Sequence, residues 1–101
     1  MEKSVHISML LEMYGKLLTD KQQDVIDLYY NQNLSLSEIA EELNITRQGV
    51  RKSLIDAENR LFDIEEKLGL LKEKLERDEV ILEITNSIND KNIKDSLMNL
   101  I

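Results

Sequence analysis

Apolar residues recur three and four places apart at Ile7, Leu10, Leu11, Tyr14, Leu17 and Leu18. This is the spacing of one face of an amphipathic helix, and it predicts a first helix over roughly residues 4–18. Thr19 with Gln22 three places on has the spacing of a capping box, in which the two side chains satisfy backbone amides left open at a helix start. A second helix follows with Val25, Ile26, Leu28 and Tyr29 inward. It ends at Asn31-Gln32-Asn33, whose side-chain amides compete for backbone hydrogen bonds. Ser35 and Glu38 repeat the capping-box spacing and predict a short helix over about 36–43, with Ile39, Ala40 and Leu43 inward. Asn44 suits a left-handed cap, Ile45 plugs the corner, Thr46 caps the next helix, and Val50 and Leu54 form its inner face. Two helices joined by so short a turn form a helix-turn-helix, and Ala40 is the small residue that their crossing requires.

Beyond the motif the pattern has no stop. Val50, Leu54, Ala57, Leu61, Ile64, Leu68, Leu71 and Leu75 form a heptad seam. It predicts one helix over about 47–77, roughly 45 Å long and too long for a three-helix head to cover. The expected cover is a second copy of the chain, with Leu61, Ile64, Leu68, Leu71 and Leu75 at a homodimer interface of open strand direction. Ile55 and Phe62 lie off the seam and call for another helix against them, and Gly69 is the weak point. After Arg77-Asp78, Val80, Ile81, Ile84 and Ile88 predict a further helix. Asn89 or Asp90 would cap a last one carrying Ile93, Leu97, Leu100 and Ile101. The fold class is all-α. The expected division is a helix-turn-helix domain over 1–60, then a dimerising extension and C-terminal helices over 61–101.

Composition agrees: the 101 residues include no proline and three glycines. Absence of cysteine removes disulfides, thiolate metal sites and thiol nucleophiles. His6 is the only imidazole and no Gly-rich phosphate loop is present, so neither an enzyme nor a cofactor is expected. His6 has no second ligand for a metal, and the carboxylates over 61–79 are scattered and exposed by pattern. No apolar run reaches the ~20 residues of a membrane span, and the start MEKSVHISML lacks the basic region of a signal peptide. The chain reads as cytoplasmic, without membrane insertion.

The net charge is -7, unevenly spread. Over residues 19–45 Lys21 stands alone against six acids. Over 46–60 Arg47, Arg51, Lys52 and Arg60 outweigh Asp56 and Glu58. In an acidic chain, affinity for a polyanion must come from this local window and be salt-sensitive. On the second helix of the motif the outward positions are Arg47, Gln48, Arg51 and Lys52, the residue types that reach base edges and phosphates when such a helix enters the major groove. An ordinary solvated helix face is the competing account of the same four residues. Ser37 and Thr46 sit at helix starts, where backbone amides can hold a phosphate. Their place at helix ends explains both without a ligand.

The stretch LLTDKQQDVIDLYYNQNLSLSEIAEELNITRQGVRKSLIDAENRL resembles region four of bacterial sigma factors, which reads a promoter element through a helix-turn-helix. The likeness rests on Thr19, Gln22, Val25, Leu28, Tyr30, Glu38-Ile39-Ala40, Leu43, Ile45, Val50 and Leu54. The chain has no room for the polymerase-binding and melting region of a complete sigma factor. With its long charged helix and short acidic tail, the whole resembles the YlxM family of helix-turn-helix proteins. That resemblance implies a bacterial cytoplasmic protein, regulatory in role, linked through gene neighbourhood to the signal recognition particle pathway. Two functions are therefore expected: a dimeric DNA-binding regulator first, and second an adaptor gripping a protein or RNA component of the signal recognition particle. The fold does not decide between them.

Overall fold

The computed structural model describes residues 1–88 and 90–101, which form six α-helices and their connections without a strand. The all-α expectation holds. The chain divides into two units, Met1–Leu68 and Gly69–Ile101.

In the first unit, α1 (Lys3–Tyr14) runs into one 3-10 turn, Gly15–Leu17. That turn advances each residue further round the axis, so Leu17, expected inward, stays 56% exposed while Leu18 is buried. The capping box that starts α2 (Asp20–Ile26) closes: Gln22 N donates to Thr19 Oγ1 at 3.2 Å and Thr19 N to Gln22 Oε1 at 3.1 Å. The helix ends in a wide π-type turn, Asp27–Asn31, with Gln32 N donating to Asp27 O at 3.1 Å. The Asp27 carboxylate accepts from the side-chain amides of Asn31 and Gln32, each at 2.9 Å. Asn33 then turns the chain at φ 58°. This is the amide competition expected of the stretch, with Asp27 as its acceptor.

Helix α3 (Leu36–Leu43) also starts on a closed capping box, Glu38 N to Ser35 Oγ at 3.1 Å and Ser35 N to Glu38 Oε1 at 3.0 Å. The backbone amide of Ser35, aided by its hydroxyl, holds the Glu38 carboxyl below its usual range. Asn44 caps the C-terminus at φ 55°, and Ile45 N returns to Ala40 O at 3.0 Å. Thr46 Oγ1 accepts from Gly49 N at 3.0 Å, opening α4 (Arg47–Leu68).

Helices α1, α2 and α3 all pack on α4. The core joins Ile7, Leu10, Val25, Ile26 and Ile39 to a line on α4 of Val50, Leu54, Ala57, Leu61 and Ile64. Ala40, Leu43 and Ile45 are only half-buried, because the short α3 covers the end of this core rather than its centre. Polar contacts flank the line. Lys3 Nζ meets Glu58 Oε2 at 3.2 Å, His6 stands edge-on to Phe62 with ring centroids 5.4 Å apart, and Tyr14 Oη donates to Glu65 Oε1 at 2.6 Å.

The unbroken helix expected over 47–77 is not formed. Helix α4 stops at Leu68, and Gly69 takes the left-handed φ of 63° that a glycine adopts without a Cβ clash. Leu61 and Ile64, assigned by pattern to a subunit interface, are buried within the chain itself. Leu71 is buried too, Leu75 half-buried, and Leu68 55% exposed. The seam is thus interrupted, and the first unit has its own cover.

In the second unit α5 (Leu70–Asn86) continues through Arg77-Asp78, where a new helix was expected; neither residue breaks a helix. Asp78, expected exposed, is buried. It pairs with Lys74 Nζ at 2.5 Å through Oδ2, and its Oδ1 has no hydrogen-bond partner among the described residues. Helix α6 (Lys91–Met98) packs on α5 and starts on Asp90, whose Oδ1 accepts from Ile93 N at 3.1 Å. The alternative cap, Asn89, lies outside the described residues.

Because Leu61 fills a site inside one chain, Leu61→Ala should cost ~2–5 kcal/mol in urea unfolding. The loss relative to the wild type should be the same in dilute and concentrated protein. At Gly69, a Cβ meets no atom within 4 Å but must sit at positive φ. Gly69→Ala should therefore destabilise by about 1–2 kcal/mol in thermal melts. Glu38, with its folded pKa lowered, contributes stability that is complete above the unfolded carboxylate value near ~4.3 and is lost as pH falls through the lower folded value. Ser35→Ala should cost ~0.5–2 kcal/mol at neutral pH, and the deficit should shrink as pH is lowered through that window.

Candidate nucleic-acid interface

The turn at Asn44 and Ile45 and the cap at Thr46 fix where α4 begins. With Val50 and Leu54 held in the core, Arg51 and Lys52 between them face away, and Arg47 and Gln48 lie ahead of the core on the first turn. Arg47, Gln48, Arg51 and Lys52 are all exposed on the first two turns. Leu36 of α3 joins Arg47, Gln48 and Arg51 around one shallow recess. A second lies one turn on, between Gln48, Arg51, Lys52, Ile55 and Asp56. Four of the six expected contact residues therefore share one face.

The other two separate. Thr46 is the helix cap, its hydroxyl accepting from Gly49 N, and it lies beside Arg47. Ser37 sits exposed in the first turn of α3, one helix away, and the cap there is Ser35.

Lys52 is engaged by Asp56 one turn along, Nζ to Oδ2 at 2.8 Å. That hydrogen bond and the carboxylate's charge raise the Lys52 pKa, keeping it cationic. Over residues 35–56 four acids (Glu38, Glu41, Glu42 and Asp56) face three bases (Arg47, Arg51 and Lys52). The positive potential is thus confined to the start of α4, with exposed carboxylates on α3 beside it.

Sequence reasoning missed Glu58. Its carboxylate, with the side chain 13% exposed, takes Lys3 from α1 and the Tyr30 hydroxyl from the wide turn, tying three elements together. Burial and then the Glu58 bond push the Tyr30 phenol above its ordinary range. The available signal was the placing of Glu58 and Glu65, seven residues apart beside the apolar line of α4. His6 also proves structural, packed against Phe62. Among the described residues no group of three His, Cys, Asp or Glu is placed to hold a metal, and no helix is long and apolar enough to cross a membrane.

Residues 1–101 match the family model described as "Putative helix-turn-helix protein, YlxM / p13 like". Among curated relatives, the UPF0122 protein of Clostridium kluyveri is 42% identical, covering 98% of each chain. That of Desulforamulus reducens is 45% identical over 82% of this chain and 71% of its own. That of Acetivibrio thermocellus is 43% identical, covering 92% and 80%. With a match along its whole length and relatives of this similarity, the chain belongs to the UPF0122 family of YlxM/p13-like helix-turn-helix proteins.

Proposed function

We propose that the α3–α4 motif of this cytoplasmic protein binds duplex DNA as a regulator, with the first two turns of α4 in the major groove. The observation that carries the reading is the shared exposure of Arg47, Gln48, Arg51 and Lys52 on those turns. Arg and Gln reach base edges there while Lys and Arg neutralise phosphates, and Thr46 and Ser37 line the approach at helix starts. The working form is a homodimer, which sets two such helices one duplex turn apart. In its support, large apolar side chains stay exposed along α5 and α6.

A second reading is favoured by the acidic surface of α3 and by the engagement of Lys52 with Asp56. In it the motif grips a protein or RNA component of the signal recognition particle, as the YlxM likeness suggests, and the carboxylates face a basic partner.

Selection from a random duplex library at about 50 mM salt, where screening is weak, separates the two. The regulator yields an enriched site. On that site Arg51→Ala should reduce the salt slope by about one unit without changing the melting temperature. Asp56→Asn, by releasing Lys52, should tighten binding. No enriched site, together with a partner that still co-purifies after nuclease treatment, would overturn the regulator and leave the adaptor.

A further inference from the structure

The buried line of α5 is Leu71, Asp78 and Thr85, one residue every second turn. Roughly a third of a turn around the helix, at ~100° per residue, runs a second line of Leu70, Glu73, Arg77, Val80 and Ile84. Its apolar members are 45%, 52% and 45% exposed, in chain order, and Glu73 and Arg77 are exposed between them. The spacing of three, four, three and four is that of a helix-pairing seam. Three large apolar residues in one line on one helix call for a cover.

The order of the line identifies the cover. Run antiparallel against itself about a two-fold axis level with Leu75, it is self-complementary. Glu73 then faces the partner's Arg77, Arg77 faces the partner's Glu73, and Leu70 faces the partner's Val80. A two-fold contact uses the same patch on both copies and so requires this kind of complementarity. Parallel pairing would instead set Glu73 on Glu73 and Arg77 on Arg77, and like charges in juxtaposition are disfavoured. The approach of Glu76 to its own copy falls on the solvated flank of the pair, where water and salt screen it.

We propose that this outer line of α5 is the homodimer interface, formed by antiparallel pairing with α5 of a second copy. The proposal rests on the dimer reading above and moves the contact from the seam of Leu61, Ile64, Leu68, Leu71 and Leu75 to a different face. From Leu70 to Val80 the overlap is only about 15 Å of helix. That is short of the ~800 Å² per partner of a standard interface, which puts the contact in the small, transient class.

Sedimentation equilibrium of the full chain from ~1 to ~100 µM tests it. The wild type should move from 11.8 kDa towards twice that mass. Glu73→Arg and Arg77→Glu should each stay monomeric with unchanged helicity, because each sets like charges together twice. The double variant Glu73→Arg, Arg77→Glu and an equimolar mixture of the two single variants should both dimerise again. As the chain has no cysteine, orientation is read by cross-linking. Leu70→Cys mixed with Val80→Cys should form a disulfide, and Leu70→Cys alone should not. A wild type that stays monomeric overturns both the dimer and this interface. A wild-type dimer that the single charge reversals leave intact overturns the interface alone.

Discussion

Helix α4 has one apolar line, and the three helices before it occupy that line. Val50, Leu54, Ala57, Leu61 and Ile64 share the core of the first unit with Ile7, Leu10, Val25, Ile26 and Ile39. A helix buries one stripe, so this fixes the rest of α4. Glu58 and Glu65 fall at the border and receive Lys3, Tyr30 and Tyr14. Gln48, Arg51, Lys52 and Ile55 fall on the far side. The same constraint places Leu61 and Ile64 in the core of the first unit.

The function proposed for the motif follows from that geometry and from a charge pattern with two sides. The start of α4 gathers its cations where a helix-turn-helix meets a duplex, yet Asp56 holds one of them and α3 presents Glu38, Glu41 and Glu42 alongside. Such a surface binds a polyanion only where the cations reach it and the carboxylates do not. Its contribution is therefore to selectivity and salt sensitivity more than to raw affinity.

Much of the first unit was legible because its signals are local. Both capping boxes and the left-handed Asn44 were read from residues three or fewer apart, and each is present with the expected partner. The exposed cations of α4 followed once Val50 and Leu54 were placed inward. Where the reading failed, the deciding interaction was not local. The heptad register runs unbroken through Gly69 in sequence, and only the left-handed backbone there ends the helix. Periodicity marked Leu61 and Ile64 as buried without saying by what, and α1 answers from more than 40 residues away in sequence. The sequence pattern puts Asp78 among exposed carboxylates, and its pairing with Lys74 accommodates the burial found.

The central claim is that one chain completes the core around α4. Amide hydrogen exchange, read by mass spectrometry on the full chain in a dilution series down to about 1 µM, tests this most directly. Peptides covering Val50–Leu61 should remain among the most protected in the protein, exchanging only through global unfolding. Exchange there as fast as in an exposed helix end, with protection returning only as concentration rises, would contradict the account and return the cover of α4 to a second copy.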